Sequence, residues 1–173
     1  MSQERIRDAM QNADRQYRYY LAIADRLDRL HIRFSAVAIL ASIVAATLLF
    51  TSWDELLARY ASAVLFLIVS GATVIPIVND YSRKAQLARS ASEQLSEVVA
   101  ELVTLWHSAE RGQNVDPKTI EHWEKRTETI TRVPIPTDYS LNERVGEESW
   151  KIINDYYPSS QRESEADPNS ASA

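Results

Sequence analysis

Three histidines, His31, His107 and His122, are the only imidazoles in the chain, and they fall on three separate segments. None lies four residues from another, so the paired-imidazole zinc site of HExxH does not arise. No Glu stands three residues before a His, so the Glu-x-x-His pattern of di-iron bundles is missing as well. With three glycines in all, Gly71, Gly112 and Gly146, no phosphate-cradling loop can be assembled. Cysteine does not occur, which removes disulfides, thiol redox switches and thiolate metal ligands. Acid pairs such as Glu147 with Glu148, or Glu121 with Glu124, read as solvated helix faces. The sequence therefore predicts no catalytic, cofactor-binding or metal-binding residue, and no enzyme. His31 reads as a packed interfacial side chain, with a pH switch as the sharper alternative.

The remaining polar chemistry is a set of small hydroxyls inside apolar sequence. Phe34 to Trp53 is a run of 20 residues without a charge, bounded by Arg33 and Asp54, and Tyr60 to Asn79 is a second run of 20, bounded by Arg59 and Asp80. At about 1.5 Å per residue each run reaches about 30 Å, the hydrocarbon thickness of a bilayer. A buried helix of a soluble protein nearly always keeps a polar stripe, and neither run has one. Both runs are thus read as membrane spans. They contain no ionisable group, which argues against a proton-coupled carrier.

Ser42 and Thr47 lie in the first span, and Ser62, Ser70 and Thr73 in the second. Ala38, Ser42 and Ala46 make a small-xxx-small row, the kind of face on which helix backbones approach closely in lipid. Ser62, Phe66, Ser70 and Thr73 are expected along one side of the second helix. Two readings stand: the hydroxyls bond their own backbone four residues back and pack against a neighbouring helix, or one row lines an oligomeric pore. Pro76 removes a backbone donor from the second span, making it a possible hinge.

Orientation follows from Lys and Arg. Arg15, Arg18, Arg26, Arg29 and Arg33 precede the first span, and Arg83, Lys84 and Arg89 follow the second, whereas the connection carries only Arg59. Positive flanks stay inside, so both termini are expected in the cytoplasm of a multi-pass inner (plasma) membrane protein. Phe34 and Tyr81 on the inner side, with Trp53 and Tyr60 on the outer, suit interfacial anchoring. Residues 80–173 carry eleven Lys and Arg against seventeen acids, a balance that argues against nucleic-acid binding.

Outside the spans the pattern is amphipathic helix. Ile6, Met10, Ala13, Tyr17, Tyr20, Ala24, Leu27 and His31 recur at alternating steps of four and three, a coiled-coil-like seam. No Gly or Pro occurs before Gly71, so one helix is expected from the N-terminal region to about residue 51. Ser52 with Glu55 fits a capping box for the second helix. Past the second span the helix is expected to continue along Leu87, Ala91, Leu95, Val98, Leu102, Leu105 and Ala109, stopping at Gly112. Two such seams would leave apolar stripes in water unless they pair. Asp116 and Pro117 open a further helix through Ile120, Trp123, Thr127 and Ile130. Val133 to Pro136 cannot be helical. Ser140 with Glu143 suggests a capping box for a last helix through Trp150 to Tyr157, which Gly146 could bend. The stretch 158–173 has the composition of a disordered tail.

The fold expected is an all-α membrane protein: a two-helix transmembrane hairpin (spans 34–53 and 60–79), extended by long cytosolic helices that pair, with short C-terminal cytosolic helices. Residues 1–157 read as one domain. This arrangement resembles the SLATT family, two-transmembrane effectors of bacterial nucleotide-signalling and other conflict systems. The resemblance is carried by Tyr19, Tyr20 and Leu21 through Leu30, by the spans Phe34–Phe50 and Ala61–Val78, and by Ile135, Pro136, Thr137, Asp138, Tyr139, Ser140, Leu141, Asn142 and Glu143. It covers residues 5–157. It implies a homo-oligomeric pore in the lipid bilayer that kills or arrests the cell in antiviral defence, when a cytosolic sensor or signalling partner acts. The residues themselves support equally well a non-permeabilising anchor that recruits a soluble partner through its cytosolic helices.

Overall fold

The computed structural model describes residues 2–50, 55–135 and 137–157. The element order is α1 (Ser2–Phe50), α2 (Glu55–Asn79), α3 (Tyr81–Glu110), α4 (Pro117–Ile130) and α5 (Tyr139–Tyr156), with no strand among the described residues. α1 is 49 residues long, about 70 Å at the standard rise, and runs unbroken as expected from its lack of Gly and Pro. Two helical segments, Gln3–Thr47 and Tyr60–Glu110, each hold a stretch long and apolar enough to cross a membrane. The chain is therefore all-helical with two candidate spans. Ser52, Trp53, Pro136 and the stretch 158–173 lie outside the described residues, and with them the expected Ser52 cap, the Trp53 anchor and the tail.

Contacts gather into two compact units: Met1–Ala22 with Ala88–Ala173, and Ile23–Leu87. The first has an ordinary packed interior. Ile6, Met10, Ala13 and Tyr20 of α1 are buried, as are Ala88, Ala91, Leu95, Val98 and Leu102 of α3. α4 contributes Ile120 and Ile130, and α5 contributes Leu141, Val145 and Ile153. The α3 set repeats at three and four residues, Thr127 joins the α4 pair and Ser149 completes steps of four in α5, so each helix hides one stripe.

Several local expectations shift. In α3 Leu87 is exposed while Ala88 is buried, and at the far end Trp106 takes the interior position expected of Leu105. In α1 the seam fades at Leu27, and His31 is exposed rather than packed. The continuous helix expected after the second span is interrupted at Asp80. Its φ is 52°, its N–H donates to the Ile77 carbonyl at 3.1 Å, and its own carbonyl accepts from the Lys84 N–H at 3.0 Å. Asp is among the few residues that tolerate this left-handed conformation.

The caps explain the remaining boundaries. Gly112 has φ 75°, and the Gln113 N–H reaches back to the Ser108 carbonyl at 3.0 Å, ending α3 where a Cβ would be strained. Asp116 caps α4 by accepting from the Lys118 N–H at 3.0 Å, with Pro117 at the first helical position. α5 is capped by Asp138, not Ser140: Asp138 Oδ1 accepts from the Leu141 N–H at 3.1 Å and from the Ser140 hydroxyl at 2.8 Å. α5 also runs straight through Gly146. A Cβ there would stand 3.1 Å from Arg15 Nε, so glycine admits the Arg15 side chain, which donates to Asn142 Oδ1 at 3.1 Å.

Candidate functional site

The second unit, Ile23–Leu87, reverses the usual distribution of side chains. Its large apolar residues face outward: Ile39, Leu40, Ile43, Val44, Leu67, Ile77 and Val78 are exposed, and Phe66 is 70 % exposed. Within its two uncharged runs the buried residues among those described are Ala41 at 8 % exposure, Ala72 at 7 % and Pro76, while Ile23, Ala24 and Ala85 are buried outside the runs. Only 6 % of the apolar stretch in α1 and 11 % of that after Tyr60 is buried. A soluble core helix would be mostly covered, whereas a helix facing hydrocarbon need not be.

The small-residue row expected in α1 is unevenly covered within the single chain. Ala41 holds the buried place, Ala38 is half-buried, and Ser42 and Ala46 are exposed. In α2, Ser62 and Ser70 are half-buried while Phe66 and Thr73 are exposed. Among the described side chains of α2 the buried ones are Ala72 and Pro76, four apart. Ser42, Ala46 and Ser62 nevertheless come together. With Ala45, Ala63, Phe66, Leu67 and Val69 they line an open cleft of about 770 Å³.

Hydroxyls in this unit look inward to their own helix. Ser42 Oγ donates to the Ala38 carbonyl at 2.7 Å, Thr47 Oγ1 to Ile43 at 2.9 Å, and Thr73 Oγ1 to Val69 at 2.7 Å. Each satisfies its donor four residues back, which is how Ser and Thr live in apolar surroundings. Pro76, the possible hinge, sits inside α2 and leaves the Ala72 carbonyl without its helical N–H. Asn79 Nδ2 bonds the Ile75 carbonyl at 2.9 Å just before the break at Asp80. Of the expected anchors, Phe34 and Tyr81 stack on one another, with centroids 6.2 Å apart and planes inclined by 22°. Tyr60 is exposed.

The first unit carries polar links between its helices that no local pattern announces. Tyr19 and Tyr20, edge to face at 5.5 Å, pin the segment between α4 and α5: the Tyr20 hydroxyl donates to the Thr131 carbonyl at 2.8 Å, and the Tyr19 hydroxyl accepts from the Asp138 N–H at 2.9 Å. Burial pushes the Tyr20 phenol above the ordinary tyrosine range, aided by Tyr19. Asp14, nearly buried, accepts from Arg18 at 2.7 Å, and Arg18 also lies 3.8 Å from Glu148. Burial opposes the Arg18 charge, but the Asp14 hydrogen bond and carboxylate more than offset it. Fully buried Ser149 donates to the Gln11 carbonyl at 3.2 Å. Arg5 forks onto Glu124 at 2.7 and 3.2 Å.

The histidines remain dispersed: His107 Nδ1 lies 2.9 Å from Glu110, and His122 stands against the Trp123 ring at 5.2 Å. A second open cleft, about 720 Å³, is bordered by Gln11, Arg15, Glu143, Gly146, Glu147, Trp150 and Lys151.

Fold and site together define an all-helical protein with two helices long and apolar enough to cross a membrane. Comparison with known proteins finds no matching family model, no matching curated protein and no matching solved structure.

Proposed function

We propose that the chain is a two-transmembrane effector whose spans form a hairpin in the inner membrane, with both ends cytoplasmic, and that copies of it assemble into a pore that kills or arrests the cell in a bacterial antiviral or nucleotide-signalling system. The pairing of the cytosolic helices and the trigger from a sensor partner belong to the same reading. The observation that carries its membrane part is the outward-facing apolar surface of the second unit, only 6 % and 11 % of whose spanning stretches are buried. The assembly part is supported by small residues at an open cleft, since lipid offers helices no hydrophobic reason to associate and close packing must supply it. The pore-effector part comes from the resemblance to the SLATT family.

Dye efflux from proteoliposomes tests the reading. Protein-dependent leakage is expected, and Ser42→Leu with Ala46→Leu should reduce it while membrane-inserted protein stays at normal levels. Undiminished leakage from the inserted double variant would remove this face from pore assembly. No leakage from well-inserted wild-type protein under any partner or lipid condition would favour the second reading, a scaffold that recruits a soluble partner. One observation favours that alternative: the Ser42, Thr47 and Thr73 hydroxyls already bond their own backbone, as a packing face requires.

A further inference from the structure

We infer that Arg29, Arg33 and Lys84 form a binding site for the phosphodiester headgroup of an anionic phospholipid, a proposal that rests on the membrane reading above. Arg33 immediately precedes the first uncharged run, and Lys84 lies five residues beyond the last residue of the second. The Phe34–Tyr81 stack, 6.2 Å between centroids, brings these two stretches of the same unit side by side. Arg29 and Arg33 are one helical turn apart on α1, so they share a face. Lys84 sits in the first turn of α3, its N–H bonded to the Asp80 carbonyl at the helix break.

Charge complementarity identifies the occupant. Among the described residues Arg29, Arg33 and Lys84 enter no ion pair, and both arginines are exposed. Their neighbour Arg83 differs, because it lies 3.7 Å from the Asp80 carboxylate. The arginines Arg5 and Arg18 of the other unit likewise have carboxylates of their own. Two guanidinium forks and an ammonium at the end of an apolar run match a phosphodiester held at the hydrocarbon boundary, with its acyl chains along the exposed apolar face. A free phosphate would gain the same contacts without the acyl chains.

The test uses the full chain. Flotation with phosphatidylcholine vesicles first reports insertion. A thermal-shift titration in detergent then compares phosphatidylglycerol, phosphatidylcholine and soluble glycerol phosphate. Wild-type protein should be stabilised by phosphatidylglycerol alone. Each cation near a membrane surface contributes about fivefold in affinity, so Arg29→Gln/Arg33→Gln/Lys84→Gln should lose about a hundredfold. Lys84→Gln alone should lose about fivefold. A control of equal charge change in the other unit, Arg7→Gln/Lys118→Gln/Arg144→Gln, should keep wild-type affinity. Equal stabilisation by phosphatidylcholine or glycerol phosphate, an unchanged Lys84→Gln, or equal loss in the control would overturn the proposal and leave the membrane reading intact. Failure of the wild-type chain to float with vesicles would overturn both.

Discussion

The single helix α1 contributes to two regions built on opposite rules. Up to Ala22 it buries large side chains, Ile6 and Met10 among them, in a unit whose interior also holds Leu95, Leu102 and Ile120. In its uncharged run from Phe34 onward, the large residues Ile39, Leu40 and Ile43 face out, and the best-covered residue among those described is Ala41. Helix propensity does not distinguish the two halves, since both are unbroken helix. What differs is the medium each surface matches. In water, removal of apolar area drives packing, so large residues go inside. In hydrocarbon that drive vanishes, and small residues inside allow backbones to approach.

The largest effect should come from placing a charge in the first interior. Leu95→Asp removes a fully buried Leu and leaves an unpaired carboxylate, at a cost of at least about 4 kcal/mol. The variant should lose cooperative thermal unfolding in detergent. Leu67→Asp sharpens the comparison because Leu67 is exposed. In a water-facing helix that change is nearly silent, but in a span it should cost about 3 kcal/mol of insertion and shift protein into the carbonate-extractable fraction. Arg18→Met, which strands the nearly buried Asp14, should lower the stability of the first unit by about 1–2 kcal/mol, discounted for the partial exposure of Arg18.

Tyr20→Phe should cost about 1 kcal/mol through the lost bond to Thr131. Its pH dependence has a definite sign. The fold favours the neutral phenol, so the unfolded chain ionises first as pH rises past about 10, and stability declines there. Tyr20→Phe should show a shallower alkaline decline, measured by urea midpoints across that range.

Much of this was legible because it is local. Two uncharged runs, an uninterrupted first helix, Gly112 as a stop and the Asp116–Pro117 start all depend on neighbours within one turn. Misreadings arose where two short polar residues competed or where distance mattered. Ser140 and Asp138 are both good caps, and Asp138 takes the role in a segment whose N–H is held by Tyr19, 119 residues away. The break at Asp80 falls where an uncharged run gives way to an amphipathic helix, and neither pattern marks a break. The adjacent Asn79–Asp80 pair, each type tolerant of left-handed backbone, was its available signal. Ala41 and Ala45 offer the same spacing as the row Ala38–Ser42–Ala46, so spacing alone does not say which face packs.

The contrast in medium can be measured directly because the chain has no cysteine to remove. Single cysteines at Leu40, Leu67, Arg7 and Tyr139, spin-labelled in reconstituted vesicles, report their surroundings through collision with oxygen and with a polar nickel chelate. Positions 40 and 67 should be rich in oxygen and shielded from the chelate, and positions 7 and 139 the reverse. Equal chelate access at all four positions would contradict the account.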